Sequence, residues 1–198
     1  MIITIGRQHG SNGHIIAHTV AERLGIPCYG KEIPELTAES SEFSREIMHA
    51  YDERRVSTYV APSIHYFGVS EGLSLNLQVA NAQFDTIRRL AGEGDAVFVG
   101  RCADYVLRKE PMLLRVFIRA DDEFRVHTLA ERKGISESAA RKLLKQVDKD
   151  RASFYRYYTD QNWGEASNFD LVVDSSSLGV EGCVRVILAA AEAFTAKA

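Results

Sequence analysis

The first twenty-five residues constrain the fold more than any other stretch of the chain. Ile2, Ile3 and Ile5 form a short β-branched run, and Gly6, Gly10 and Gly13 punctuate the turn that follows. Ile16, Val20, Ala21 and Leu24 then recur at helical spacing until Gly25 supplies a stop. A buried strand, a glycine-bearing turn and a helix in immediate succession aim bare backbone N–H groups and the positive end of a helix dipole at one spot, which suits a phosphate. The Gly-Lys-Ser/Thr ending of the common nucleotide loop is replaced by Asn12-Gly13-His14. The lysine for the outer phosphates and the hydroxyl for Mg²⁺ are therefore both missing. Alone, the stretch also fits any strand-to-helix turn of an α/β domain, so residues elsewhere must decide.

Four more apolar runs, at 26–29, 96–99, 113–118 and 171–173, predict strands. Between them the spacing predicts helices over 73–91, 103–108 and 121–132, the last with Asp121 as N-cap and Gly134 as stop. A long charged helix follows Ser136 to about 158, and a closing helix spans 180–194. After Pro34 the polar segment 35–55 reads as a long exposed helix or a helix pair, and 59–72 shows no period and reads as a loop. Five strands alternating with helices predict a three-layer α/β domain, a five-stranded parallel sheet with helices on both faces. Such sheets bind ligands beyond the carboxyl ends of their strands. Residues 6–14, Gly30-Lys31, Gly100-Arg101, 119–125 and 174–177 all fall there.

With 198 residues, 45% of them hydrophobic, the chain is expected to form one domain over 1–198. A net charge of −3 argues against nucleic acid as a partner, and no apolar run approaches membrane-spanning length. Cys28, Cys102 and Cys183 are odd in number and far apart, as expected of thiols in a reducing compartment. With an N-terminus that enters a strand directly, a cytoplasmic protein is expected. The oligomeric state is left open.

The segments Arg7-Gln-His-Gly-Ser11, Val99-Gly-Arg-Cys-Ala-Asp-Tyr105, Val116-Phe-Ile-Arg-Ala120, Asp148-Lys-Asp-Arg151 with Tyr155-Arg-Tyr-Tyr158, and Trp163-Gly164 together resemble the cytidylate kinase-like family over essentially the full length. The resemblance implies a P-loop nucleoside monophosphate kinase fold, with a monophosphate-binding insertion at 31–75 and a lid at 133–165. It also implies ATP and Mg²⁺, and transfer of the terminal phosphoryl of ATP to a nucleoside monophosphate such as CMP. Gly10, Ser11, Asn12, Gly13 and His14 would then hold nucleotide phosphates. Arg7, Arg125 and Arg151 would act in catalysis, and Lys31, Arg101, Asp104, Asp148 and Tyr155 would meet the substrate. Arg7, Arg101 and Arg125, each at or just beyond a strand's carboxyl end, are expected to line one cleft. On one helix, Asp148, Arg151, Tyr155 and Tyr158 share a face.

The chain departs from the family's pattern at Gly6, Asn12, His14, Gly30 and Cys102. Alternative readings start from other residues. His14 and His18 have an i, i+4 spacing that can hold a metal, but no third ligand is indicated, so no metal site is expected. The run Phe154-Tyr-Arg-Tyr-Tyr158 can stack bases, although in an acidic chain lid packing suits it better. Gly6-x-x-x-Gly10 with Tyr105-x-x-x-Lys109 admits a nucleotide-dependent dehydrogenase. The missing lysine and hydroxyl admit a nucleotide sensor or partner-binding protein with a degenerate P-loop.

Overall fold

The computed structural model describes residues 1–51 and 71–196. Among them lie five parallel strands, β1 (Ile2–Arg7), β2 (Cys28–Tyr29), β3 (Ala96–Val99), β4 (Leu113–Arg119) and β5 (Leu171–Asp174), in the order β2-β3-β1-β4-β5. The helices are α1 (Gly13–Leu24), α2 (Ile33–Ser40), α3 (Arg45–Tyr51), α4 (Glu71–Gly92), α5 (Ala103–Val106), α6 (Asp122–Lys133), α7 (Glu137–Thr159) and α8 (Ser175–Thr195). The sheet order corrects the dehydrogenase reading. The dinucleotide-binding fold places its second strand beside the first, whereas here β3 lies between them.

The expected three layers are present. Ile3 and Ile5 of β1, with Val97, Val99, Leu114, Val116 and Ile118, turn to one face and pack against Ile16, Ala17 and Val20 of α1 and Val184, Ile187 and Ala191 of α8. Ile2, Ala96, Phe98 and Leu113 turn to the other, against Ala80, Phe84 and Ile87 of α4, Ala103 of α5, and Phe154 and Tyr155 of α7. Alternate side chains thus reach opposite faces, both buried, and the strands read as continuous apolar runs because a parallel sheet covered on both sides requires it.

Capping explains the starts of α6, α7 and α8. The Asp121 carboxylate accepts from the N–H groups of Glu123 and Phe124, Gly134 ends α6 at φ 62°, and Ser136 accepts from the Ala139 N–H to start α7. Helix α8 begins five residues before the expected 180, because Asp174 caps it through Ser176 and Ser177. A break at Gly179 (φ 65°, ψ 176°) interrupts the periodicity that sequence reading relies on. The polar segment after Pro34 resolves into the helix pair α2 and α3, and it is not wholly exposed, since Ile33 and Met48 are fully buried. The loop expected at 59–72 lies outside the described residues except for Glu71 and Gly72, which begin α4. Among the described residues no helix is long and apolar enough to cross a membrane.

Helices α6 and α7 join through a small core of their own, Val126, Leu129, Ala140 and Leu144. The second half of α7 runs back to the sheet layer, where the Tyr158 hydroxyl donates to the Asn76 carbonyl of α4.

Candidate functional site

The turn after β1 is fixed on several sides. The Gln8 N–H donates to the Ile118 carbonyl at 3.0 Å, and the Gln8 side-chain oxygen accepts from Ala120 N at 3.0 Å, tying the turn to the end of β4. The Ser11 hydroxyl is fully buried and donates to the Gln8 carbonyl at 2.8 Å, while the Ser175 hydroxyl donates to the Ser11 carbonyl at 2.8 Å. Gly10 has φ 79°, and a Cβ there would lie 2.8 Å from the Arg125 carbonyl oxygen. A Cβ on Gly13 would lie 2.6 Å from Arg7 Cβ. Asn12 adopts the left-handed conformation (φ 56°), which its short polar side chain tolerates. Helix α1 then starts with no side-chain cap and no acidic residue in its first turn, so its positive end faces outward without an internal counter-charge.

Behind the turn stands a closed ionic network. Asp148 of α7 accepts from the His9 N–H at 2.8 Å and from Arg125 Nη1 at 2.5 Å. Arg125 also donates to the His9 carbonyl at 3.2 Å and to Asp122 at 2.5 Å. Arg125, expected to share a cleft with Arg7 and Arg101, is instead outside that cleft's lining. The physical reason is that two carboxylates, one on its own helix and one on α7, draw the guanidinium back beneath the turn.

In front of the turn, beyond the carboxyl ends of β1 and β3, opens a cleft of about 550 Å³. Arg7, Lys31, Arg101, Arg132, Lys133 and Arg151 line it, with Gly10, Asn12, Gly13 and His14 as its floor. No carboxylate among the described residues joins them. Arg101 follows β3 in three consecutive left-handed residues, Gly100 (φ 79°), Arg101 (φ 52°) and Cys102 (φ 54°), and donates to the Gly30 carbonyl at 2.6 Å. Left-handed non-glycine backbone is costly and concentrates where a side chain must be aimed. Arg151 reaches from α7 to donate to the Arg7 carbonyl at 3.1 Å.

This field acts on the two imidazoles of the wall. Burial and then the Arg151, Arg132, Lys133 and Arg7 charges lower His9 to a pKa of about 4. Burial, then His18, Lys31 and Arg7, lower His14 to about 4. At neutral pH both are uncharged, so His14 does not replace the missing cation of the turn.

Asp104 and Tyr155 lie beside the cleft, in a cavity of about 20 Å³ that shares Arg7, Arg101 and Arg151 with it. The Tyr155 hydroxyl donates to Asp104 at 2.6 Å, and burial raises the carboxyl pKa. Trp163 and Gly164, part of the resemblance, pack on Phe117, the indole with ring centroids 5.4 Å apart. His14 and His18 meet edge to face at 4.3 Å, and no group of three potential ligands gathers anywhere among the described residues. Sequence reading missed His9, Arg132 and Lys133. The two cations sit in the last turn of α6, where basic residues ordinarily complement a helix dipole, so only the direction in which α6 ends could single them out.

The residues present fit a polyanion such as the phosphates of ATP, through helix-start N–H groups and cations. They do not fit a protein-held Mg²⁺, which takes hard oxygen donors. His14 stands where the hydroxyl would be, the Ser11 hydroxyl is turned inward, and no described carboxylate faces the cleft.

The model of the cytidylate kinase-like family matches residues 2–177. The cytidylate kinase of Methanopyrus kandleri is 24% identical over 200 residues, covering 96% of this chain and 92% of that one. The cytidylate kinase of Archaeoglobus fulgidus is 26% identical over 200 residues, covering 97% and 95%. A crystal structure of an uncharacterized protein from Eubacterium ventriosum matches with a TM-score of 0.75 at 26% identity, over 97% of this chain and 98% of that one. With a parallel five-stranded sheet, a phosphate-type turn after its first strand and a family match over nearly the whole length, the chain belongs to the cytidylate kinase-like family.

Proposed function

We propose that the protein transfers the terminal phosphoryl group of ATP to a nucleoside monophosphate such as CMP. The observation that carries this reading is the cleft itself, with six cations and an uncapped helix start and no described carboxylate. Phosphoryl transfer asks little covalent chemistry of a protein. It asks for positioning and for positive charge around a transition state whose negative charge is spread over several oxygens.

The charge pattern also bears on the acceptor. An alcohol acceptor must lose a proton and calls for a carboxylate base. A monophosphate oxygen, with a second pKa of about 6, is already ionised at neutral pH. It can attack the terminal phosphorus directly, forming the new P–O bond as the bond to the bridging oxygen breaks and ADP leaves. Carboxylates near the turn and cleft are engaged, Asp148 and Asp122 by Arg125, Asp104 by Tyr155 and Glu32 by the Gly30 N–H. A phosphate acceptor therefore suits the described site better than an alcohol. In this reading the arm of α6 and α7 is the lid, bringing Arg132, Lys133 and Arg151 over the phosphates.

A second reading, a nucleotide sensor without turnover, rests on the turn itself, where Asn12-Gly13-His14 replaces the lysine and hydroxyl of the common nucleotide loop and His14 is uncharged at neutral pH. A coupled ADP-release assay with ATP and CMP, dCMP, UMP or AMP, in buffer containing MgCl₂, separates the two. Release with one acceptor at least supports the kinase. Measurable ATP binding without release from any acceptor supports the sensor.

A further inference from the structure

Resting on the nucleotide reading above, we infer that the cleft binds its nucleotide polyphosphate as the metal-free anion, with its charge met by side-chain cations and backbone N–H groups. Among the described residues lining the cleft, none offers a divalent cation a carboxylate or hydroxyl oxygen of the kind Mg²⁺ takes.

Three observations converge. First, the position that would carry a Mg²⁺-binding hydroxyl is His14, a nitrogen donor held against a cationic wall. Mg²⁺ demands oxygen ligands in near-octahedral geometry and gives up water reluctantly. Second, the nearby oxygens are committed. The Ser11 hydroxyl, fully buried, donates to the Gln8 carbonyl. Asp148 and Asp122 pair with Arg125 behind the turn, Asp104 accepts from Tyr155, and Glu32, the carboxylate coupled to His14, accepts from the Gly30 N–H. Third, the cleft is already rich in positive charge. A tetra-anionic triphosphate gains from every lining cation, whereas its magnesium complex carries about half that charge and brings a dication toward Arg7, Lys31 and Arg151. Metal loading thus weakens the ligand's attraction to the cleft and gains no carboxylate or hydroxyl ligand from the described lining in return.

The test is isothermal titration calorimetry of ATP into the full chain at pH 7.5, once with EDTA and once with saturating MgCl₂, the ionic strength matched with NaCl. The expected result is binding about tenfold tighter in EDTA. Affinity that is equal in the two media, or tighter with MgCl₂, overturns the inference and leaves the nucleotide reading standing. No binding in either medium overturns both. The His14→Thr chain, which places a hydroxyl at the start of α1, is titrated in the same two media. The ratio is expected to move about tenfold toward the magnesium complex, and an unmoved ratio overturns the assignment of position 14 as the source of the preference.

Discussion

Arg125 is buried behind the 8–13 turn between Asp122, Asp148 and the His9 carbonyl, whereas Arg7, Arg101 and Arg151 reach the cleft in front, which no described carboxylate lines. The two sides are separated by one layer of backbone and use the same side chain. Behind the turn the one guanidinium is shared by two carboxylates, so no positive charge there is left for a ligand. The network's product is shape, because it grips the His9 N–H and carbonyl and seats Gly10 against the Arg125 backbone. In front, Arg101 donates to the Gly30 carbonyl and Arg151 to the Arg7 carbonyl, and a backbone carbonyl aims a guanidinium without itself cancelling the charge. The turn is thereby rigid on one face and electropositive on the other, the preorganisation that binding a charge-rich transition state requires.

The comparison predicts that substitutions in front cost activity and substitutions behind cost stability. The largest effect is expected for Arg101→Ala. It should lower phosphoryl transfer by roughly 10²–10³, the loss typical of removing one preorganised charge. Stability should fall by about 1.5–3 kcal/mol, the range for a hydrogen bond made by a charged group, as the bond to Gly30 is lost. ADP-release kinetics beside urea melts check both halves, and an unchanged rate would show that Arg101 is aimed at nothing.

Arg125→Ala should reverse the proportions. Removing the guanidinium leaves Asp148, only 18% exposed, without its partner. Breaking such a pair from one side costs about 3 kcal/mol. Removing Arg125 and Asp148 together should cost clearly less than the sum of the single changes, because the second change removes the stranded charge. A urea double-mutant cycle measures this coupling, and strict additivity would mean that the two are not one unit.

Gly10→Ala is next. At φ 79°, with the new methyl 2.8 Å from the Arg125 carbonyl, the turn must shift, and about 1–3 kcal/mol of stability should be lost. Sulfate binding should weaken in parallel, because the same backbone forms the floor of the cleft. A stable variant with unaltered sulfate affinity would show that the turn is adaptable and not preset.

The front of the turn was more legible in the sequence than the back. Strand ends and glycines mark where a parallel sheet gathers its ligand groups, so Arg7, Arg101 and the helix start could be named from order alone. The position of Arg125 could not. Strand-end topology places it near the cleft, but which way the guanidinium turns is decided by Asp148, 23 residues away on another helix. No local pattern carries that pairing. Ser11 is a similar case, since its type suits a phosphate ligand while its hydroxyl is claimed by the Gln8 carbonyl. Helix caps such as Asp121, Gly134 and Ser136 were readable because both partners of each contact lie within a few residues.

The smallest effect, and the most direct probe of the field in front of the turn, is a pH dependence. His9 and His14 each have a folded-state pKa of about 4 against an ordinary 6.5. Between those values the unfolded chain binds more protons than the folded one. Their contribution to stability is therefore complete above about pH 6.5 and is lost as pH falls toward 4, with no further loss from these groups below that. Both imidazoles are only half-buried, so water screens part of the effect. A bound dianion opposes the cations that, with burial, depress these pKa values, so sulfate should raise the melting temperature more at pH 5.5 than at pH 7.5. Replacing both residues, His9→Asn with His14→Asn, should flatten the acid limb of the stability curve and shrink the difference between the two sulfate responses. If the double variant keeps the full pH dependence of sulfate stabilisation, the titrating groups lie elsewhere, and the cationic field at the turn is weaker than its six lining side chains imply.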